Sequence, residues 1–113
     1  MTERDYALLL KNPVASAGRK IIVYGEVSQF DTATGPSRFM ADTSADPIEG
    51  DSYFFGDSAL VDLSDPRIGA DVAQGDIVRM YVEVRGTFEY ENLLGGEMVV
   101  PRLRANIIEP VGR

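Results

Sequence analysis

The side chains best suited to chemistry in this sequence are arginines set beside aromatic rings. Arg38 and Phe39 begin one predicted strand, and Tyr53 and Phe55 belong to a short aromatic run further along the chain. Aromatic rings of this kind stack on the bases of single-stranded nucleic acid, while guanidinium groups hold phosphates. The same rings can instead fill a protein core, because a small core needs its aromatic residues. Both interpretations stay open, and we favour the core.

A second group, of four arginines and one tyrosine, lies in the last third of the chain, at outward positions of two predicted strands. Its members are Arg79, Tyr81, Arg85, Arg102 and Arg104. Paired strands would combine them into a cationic, aromatic patch, which suits a protein interface or a polyanion. The alternative is a solvated face whose arginines pair weakly with Glu83 and Glu97 across the strands. We favour the solvated face.

The inventory of residue types excludes most routes to catalysis. The sequence has no histidine and no cysteine, so zinc sites, Ser-His-Asp triads and Cys-His pairs cannot form. The acidic segment from Asp42 to Asp51 lacks the ligand spacing of a calcium-binding loop, and Pro47 interrupts it. We therefore predict that the protein is not an enzyme and that it binds no metal and no cofactor.

Negative charge is concentrated in the middle of the chain. The formal net charge is −7, and from Asp42 to Asp76 nine acidic residues face one base, Arg67. A field of that sign repels phosphates and attracts basic partners. The charge thus favours a protein partner or self-association and disfavours nucleic acid. No apolar run reaches the length of about 18 residues that a membrane span needs, so we expect no membrane partner.

The elements that must position these side chains are nearly all strands. A short helix is predicted at the N-terminus, where Thr2 starts a capping pattern and Asn12-Pro13 ends the element. Strands are predicted over residues 20–30 and 38–43, separated by a turn rich in small and polar residues. The aromatic run at residues 52–56 predicts a third, short strand.

The strongest pattern is strict alternation over residues 77–90, which predicts a long strand with one face buried. The inward series predicted for this strand is Val78, Met80, Val82, Val84, Phe88 and Tyr90. Its partner, residues 97–108, has a predicted inward series of Val99, Leu103, Ala105 and Ile107. Gly86 marks a bend, and Pro101 indicates an edge or a bulge because it cannot donate to the ladder. These strands predict a small closed or nearly closed barrel, since a flat sheet would leave edges exposed.

Several short motifs resemble one known group of proteins. They are Asn12-Pro13, residues 18–27, residues 75–78, Thr87-Phe88-Glu89-Tyr90, Gly95-Gly96 and Val100-Pro101. Together they resemble the OB-fold (tRNA-anticodon-binding-like) domain of small Gram-positive cell-envelope lipoproteins and related phage-encoded proteins. The resemblance implies an all-β, five-stranded OB-type Greek-key barrel with a short N-terminal helix. It would be a single domain over residues 1–113, with the helix at 1–12 and the barrel at 18–109.

Function is predicted less sharply than fold. The leading hypothesis is a non-enzymatic binding or adaptor module that recognises a protein partner, as a phage-encoded or virion-associated component. The first alternative is single-stranded nucleic-acid binding through the face of strands two and three. The second is an acidic inhibitor that imitates nucleic-acid charge through Asp57, Asp62 and Asp65. The chain begins without a signal peptide or lipid-anchoring cysteine, so we expect a cytoplasmic protein, or a virion protein if it is phage-encoded.

Overall fold

The computed structural model describes residues 2–47, 56–91 and 94–112. These ranges contain one α-helix, a 3-10 turn at Pro66–Gly69 and five strands. The helix and strands are α1 (Glu3–Lys11), β1 (Lys20–Gln29), β2 (Arg38–Ser44), β3 (Asp57–Leu63), β4 (Ile77–Glu91) and β5 (Glu97–Gly112). The strand predicted at residues 52–56 lies almost wholly outside the described residues. No helix in the described ranges has the length and apolar character to cross a bilayer.

The five strands close into a barrel in the order β1-β2-β3-β5-β4. Every neighbouring pair is antiparallel except β3 and β5, which run parallel. The parallel pair arises because the chain leaves β3, forms β4 on the far side of β1, and returns through β5. This strand order is that of an OB-type Greek-key barrel, so the predicted fold class is confirmed.

Alternate side chains of each strand fill the barrel. The fully buried ones are Val23, Phe39, Ala41, Ala59, Val61, Val78, Met80, Val84, Leu103 and Ala105. The inward series predicted for β4 is therefore correct from Val78 to Val84. On β5 it is correct for Leu103 and Ala105.

The helix α1 is tied to the end of β2 by buried and charged hydrogen bonds. Tyr6 is fully buried, and its hydroxyl lies 2.6 Å from the hydroxyl of Thr43. Burial raises the pKa of Tyr6 to about 12. The carboxylate of Glu3 accepts a hydrogen bond of 2.6 Å from the hydroxyl of Ser44, and this bond is the main reason that the pKa of Glu3 is lowered. The helix thus contacts the core through the side chain of Tyr6. It contacts the end of β2 through the carboxylate of Glu3.

Two of the three register shifts in the β4–β5 pair change which of the predicted side chains face the core. At the first, Tyr81 pairs with Ile107 and Val82 with Ala105, so the residue between them on β5 has no partner. One extra residue reverses which side chains face the core. Ile108 consequently packs against the core, whereas Ile107 is 52% exposed and its predicted inward position is wrong.

The second bulge changes which side chains of β4 face the core. Val84 pairs with Leu103 and Thr87 with Pro101, so two residues of β4 stand opposite one residue of β5. Gly86 sits in this bulge with a φ of 91°, which residues with a side chain rarely adopt. Beyond it the two strands continue past the barrel as a hairpin arm, residues 87–91 and 97–101, called the arm below. The prediction of a bend at the glycine and a bulge at the proline is confirmed.

Candidate nucleic-acid interface

A groove of about 430 Å³ runs along the outer face of β2 and β3. Met40 of β2 and Leu60 of β3 form its floor. Phe88 and Tyr90 of the arm form one wall, and the loop between β1 and β2, residues 31–37, forms the other. This is the place where OB-type barrels hold ligands, between the strand 2–3 face and the loops that flank it.

The arm faces the groove because of the bulge at Gly86. Without an extra residue, strict alternation would keep Phe88 and Tyr90 on the side of the core residue Val84. The bulge turns them to the outer side, where they are half-buried against the groove. Their predicted place in the inward series is therefore wrong. Val99 is also exposed, at 57%, because this part of β5 has already left the barrel.

The two aromatic rings are stacked and lie beside a cation. The ring centroids of Phe88 and Tyr90 are 6.2 Å apart, with an angle of 25° between the planes. The guanidinium carbon of Arg38 lies 5.4 Å from the centroid of Phe88, which is within the range of a cation–π contact. An arginine and aromatic rings thus meet at the groove, as the sequence predicts. Both rings, however, come from β4 and not from the predicted aromatic run at residues 52–56.

The opposite wall is ordered by its own hydrogen bonds. The carboxylate of Asp31 accepts from the backbone N–H groups of Ala33 and Thr34, at 2.9 Å and 3.2 Å. The hydroxyl of Thr34 in turn accepts from the backbone N–H of Asp31. The carboxylate of Asp31 is thus engaged in hydrogen bonds within the loop.

Arg38 is also linked to β5 through a shared carboxylate. Its Nη2 lies 3.1 Å from Oδ1 of Asp62, while Nε of Arg102 donates to Oδ2 of the same residue. The side chain of Asp62 is only 20% exposed. One carboxylate thus pairs with two guanidinium groups. The three groups together carry a net charge of about +1 at the edge of the groove.

The remaining residues of the predicted strand 2–3 site fall elsewhere. Phe39 has no exposed surface, and its ring packs against Phe30 with centroids 5.4 Å apart. For this residue the interpretation as a core side chain is right, because its position on β2 points into the barrel. Tyr53 and Phe55 lie outside the described residues.

The predicted arginine–tyrosine patch is divided among three places. Arg79 donates from Nε and Nη2 to Glu109, at 3.0 Å and 2.8 Å, and these bonds hold the pKa of Arg79 above its ordinary value. Tyr81 lines a separate open groove of about 630 Å³ on β1 and β4. Arg85, Arg102 and Arg104 line a third concavity, at the seam of β3 and β5. The predicted cross-strand pairing with Glu83 is wrong, since Arg85 bonds to Glu83 of its own strand at 2.8 Å. The cross-strand ion pairs of these arginines use other carboxylates, those of Glu109 and Asp62.

The sequence-based search missed Phe88 and Tyr90 as site residues. The available signal was a glycine in the middle of an alternating strand, followed by two aromatic residues on the same side. A glycine there predicts a bulge. The extra residue of a bulge moves each later side chain of the strand to the opposite face of the sheet. Within the described ranges, no group of acidic side chains is arranged to hold a metal ion.

The strand order defines an OB-type barrel, and an open groove lies on its strand 2–3 face. No protein-family model matches the sequence, and no curated protein matches it significantly. Two crystal structures are similar in fold, and both are of Rim1, a mitochondrial single-stranded DNA-binding protein of S. cerevisiae. They are 15% and 14% identical to this chain, with TM-scores of 0.44 and 0.45, and each comparison covers 85% of this chain and 97% of that one. Similarity of this degree carries no argument about function, and the resemblance to lipoprotein and phage domains stays a prediction.

Proposed function

We propose that this protein is a non-enzymatic binding module whose groove holds single-stranded nucleic acid. The observation that carries the proposal is the bulge at Gly86, which places Phe88 and Tyr90 in the groove wall beside Arg38. Base–aromatic stacking is worth about 1–3 kcal/mol per base and tolerates any sequence, because every base has a π-face. We therefore expect binding with little sequence preference.

Few charges line the groove although the whole chain is acidic. Its described lining residues include one cation, Arg38, and no carboxylate, but three carboxylates lie beside them: Asp62 pairs with Arg38 at 3.1 Å, Asp42 accepts from the Ser58 hydroxyl at 3.0 Å, and Asp31 accepts from Ala33 and Thr34. Each of these carboxylates already accepts a hydrogen bond or pairs with a cation, and acidic residues beyond about 8 Å are screened at physiological salt. The net charge of −7 should slow the approach of an oligonucleotide more than it weakens the complex.

The acidic-inhibitor hypothesis is less well supported by the same geometry. Asp62 is shared by two arginines, and Asp65 accepts from Arg67, which lowers the pKa of Asp65. Two of the three carboxylates that would imitate phosphates are thus paired with guanidinium groups. A mimic of nucleic acid needs these charges unpaired.

A protein partner also stays a prediction. The feature that suits it is an apolar row across three strands, in which Ile22 of β1 pairs with Tyr81 of β4 and Tyr81 pairs with Ile107 of β5. Ile22 and Ile107 are 45% and 52% exposed. The row does not line the groove on β2 and β3, so protein binding and nucleic-acid binding would use different surfaces.

The test is a titration of fluorescently labelled oligo(dT) with the wild-type protein and two variants, followed by anisotropy. Phe88→Ala removes one groove ring and should weaken binding by about 5- to 150-fold, which corresponds to the stacking range. Tyr81→Ala is the matched control, because it removes a surface ring on the same strand outside the groove. The proposal is wrong if wild type does not bind, or if both variants bind as it does.

A further inference from the structure

Three arginines converge on a concavity that the proposed function does not use. It has a volume of about 350 Å³ and is lined by Asp62, Leu63, Arg85, Arg102 and Arg104. We call it the arginine site. It lies on the outer face where β3 pairs with β5, with β4 on the other side of β5.

Arg104 is the residue that makes this cluster unusual. In the barrel it is in register with Glu83 on one side and with Asp62 on the other. Both carboxylates are already engaged: Glu83 accepts from Arg85, and Asp62 accepts from Arg102 and forms an ion pair with Arg38. Arg104 is exposed and has no ion pair within the described part of the chain. Its charge is therefore available to a ligand.

The charges around the site do not balance. Four guanidinium groups, those of Arg38, Arg85, Arg102 and Arg104, face the two carboxylates of Asp62 and Glu83. Two positive charges remain, in a protein whose net charge is −7. A local excess of positive charge of this kind attracts anions.

The free donors fit a phosphate. A guanidinium group has five N–H donors, of which Arg102 uses Nε and Arg85 uses Nη1 toward carboxylates. The terminal nitrogens of Arg102 and all those of Arg104 have no carboxylate partner in the described ranges. Planar forks of this type bind phosphate oxygens in pairs, with shorter and stronger bonds than neutral donors make.

We propose that the arginine site binds phosphate groups, with Arg104 as the main ligand. The site is connected to the groove, because Asp62 lines the site and also holds Arg38, which lines the groove. We further infer that it takes backbone phosphates of a strand as that strand leaves the groove. This second part rests on the proposed function, whereas the phosphate site itself does not.

The first experiment tests the site without nucleic acid. Pyrophosphate is titrated into the protein while the arginine Nε–Hε signals are followed by NMR, and the affinity is compared between Arg104→Gln and Arg4→Gln. Arg4 is exposed on α1, so its replacement changes the net charge equally without touching the site. We expect Arg104→Gln to weaken binding about tenfold and Arg4→Gln to leave it nearly unchanged. Equal effects of both variants, or no response to millimolar pyrophosphate, overturn the site.

The second experiment separates a backbone phosphate from a free phosphate compound. The logarithm of oligo(dT) affinity falls with the logarithm of salt concentration by about 0.7 per contacted phosphate. Arg104→Gln should lower that slope by about 0.7, and Phe88→Ala should not change it. An unchanged slope in Arg104→Gln overturns the backbone role while the proposed function stands. Pyrophosphate binding without oligonucleotide binding overturns the proposed function while the phosphate site stands.

Discussion

The bulge glycine offers a prediction whose size can be worked out from the backbone. Gly86 has a φ of 91°, and an added Cβ would meet no atom within 4 Å. The cost of Gly86→Ala is therefore one of backbone conformation alone, about 1–2 kcal/mol. For a chain of 113 residues this lowers the melting temperature by roughly 4–8 °C, because the entropy of unfolding is about 2.1 cal/mol/K per residue.

Gly75 provides the matched control. It has a φ of 93° and open space around its Cβ position, but it lies just before β4, at the opposite end of that strand from the bulge. Gly75→Ala should thus lose the same stability as Gly86→Ala. Binding should differ, because relief of strain at the bulge moves Phe88 and Tyr90 out of the groove wall.

The assay combines urea unfolding with anisotropy of labelled oligo(dT) in the absence of denaturant. We expect both variants to unfold at lower urea concentration, and only Gly86→Ala to lose affinity, by about the 5- to 150-fold of one ring. A folded Gly86→Ala variant that binds as tightly as Gly75→Ala would refute the reasoning that the bulge positions the rings.

Three further predictions follow from the hydrogen bonds and ion pairs. Asp62→Asn removes the carboxylate that two arginines share, so pyrophosphate should bind more tightly in the NMR titration, and a weaker complex would contradict the charge account. Tyr6→Phe should cost about 0.5–1.5 kcal/mol in urea unfolding, since the Thr43 hydroxyl keeps its bond to the Asp57 carbonyl at 2.7 Å; a neutral change would show that the buried pair adds nothing. The pKa of Glu3 is lowered in the folded state, so its contribution to stability is present above the unfolded pKa and is lost as the pH falls through the folded value. Glu3→Gln should therefore flatten the acid side of the stability–pH curve, and an unchanged curve would contradict the anchoring role.

The fold was predictable because local chemistry and long-range pattern agree. The strict alternation from Val78 to Val84 requires a half-buried strand, and the structure buries these alternate side chains. Gly86 predicts a bend because glycine has no side chain to restrict its backbone. Pro101 predicts an edge or a bulge because proline has no N–H to donate to the ladder. The helix ends at Asn12-Pro13 because the residue before a proline disfavours the α conformation.

The candidate site was predictable only in part. The sequence indicates Arg38 as a candidate, and the structure places it on β2 among the residues that line the groove. Phe88 and Tyr90 were assigned to the core because alternation was extended through a bulge, and a sequence does not show how many residues a bulge inserts. The ion pairs of Arg79 with Glu109 and of Arg102 with Asp62 depend on register between strands that are distant in the chain. Register of that kind is set by the whole barrel.

The most direct test of the account is an NMR titration of isotopically labelled protein with oligo(dT), in which ring and guanidinium signals are assigned. We predict that the signals of Phe88, Tyr90 and Arg38 shift together and saturate at one affinity. The account is contradicted if these signals stay still, or if the shifts appear only along Ile22, Tyr81 and Ile107.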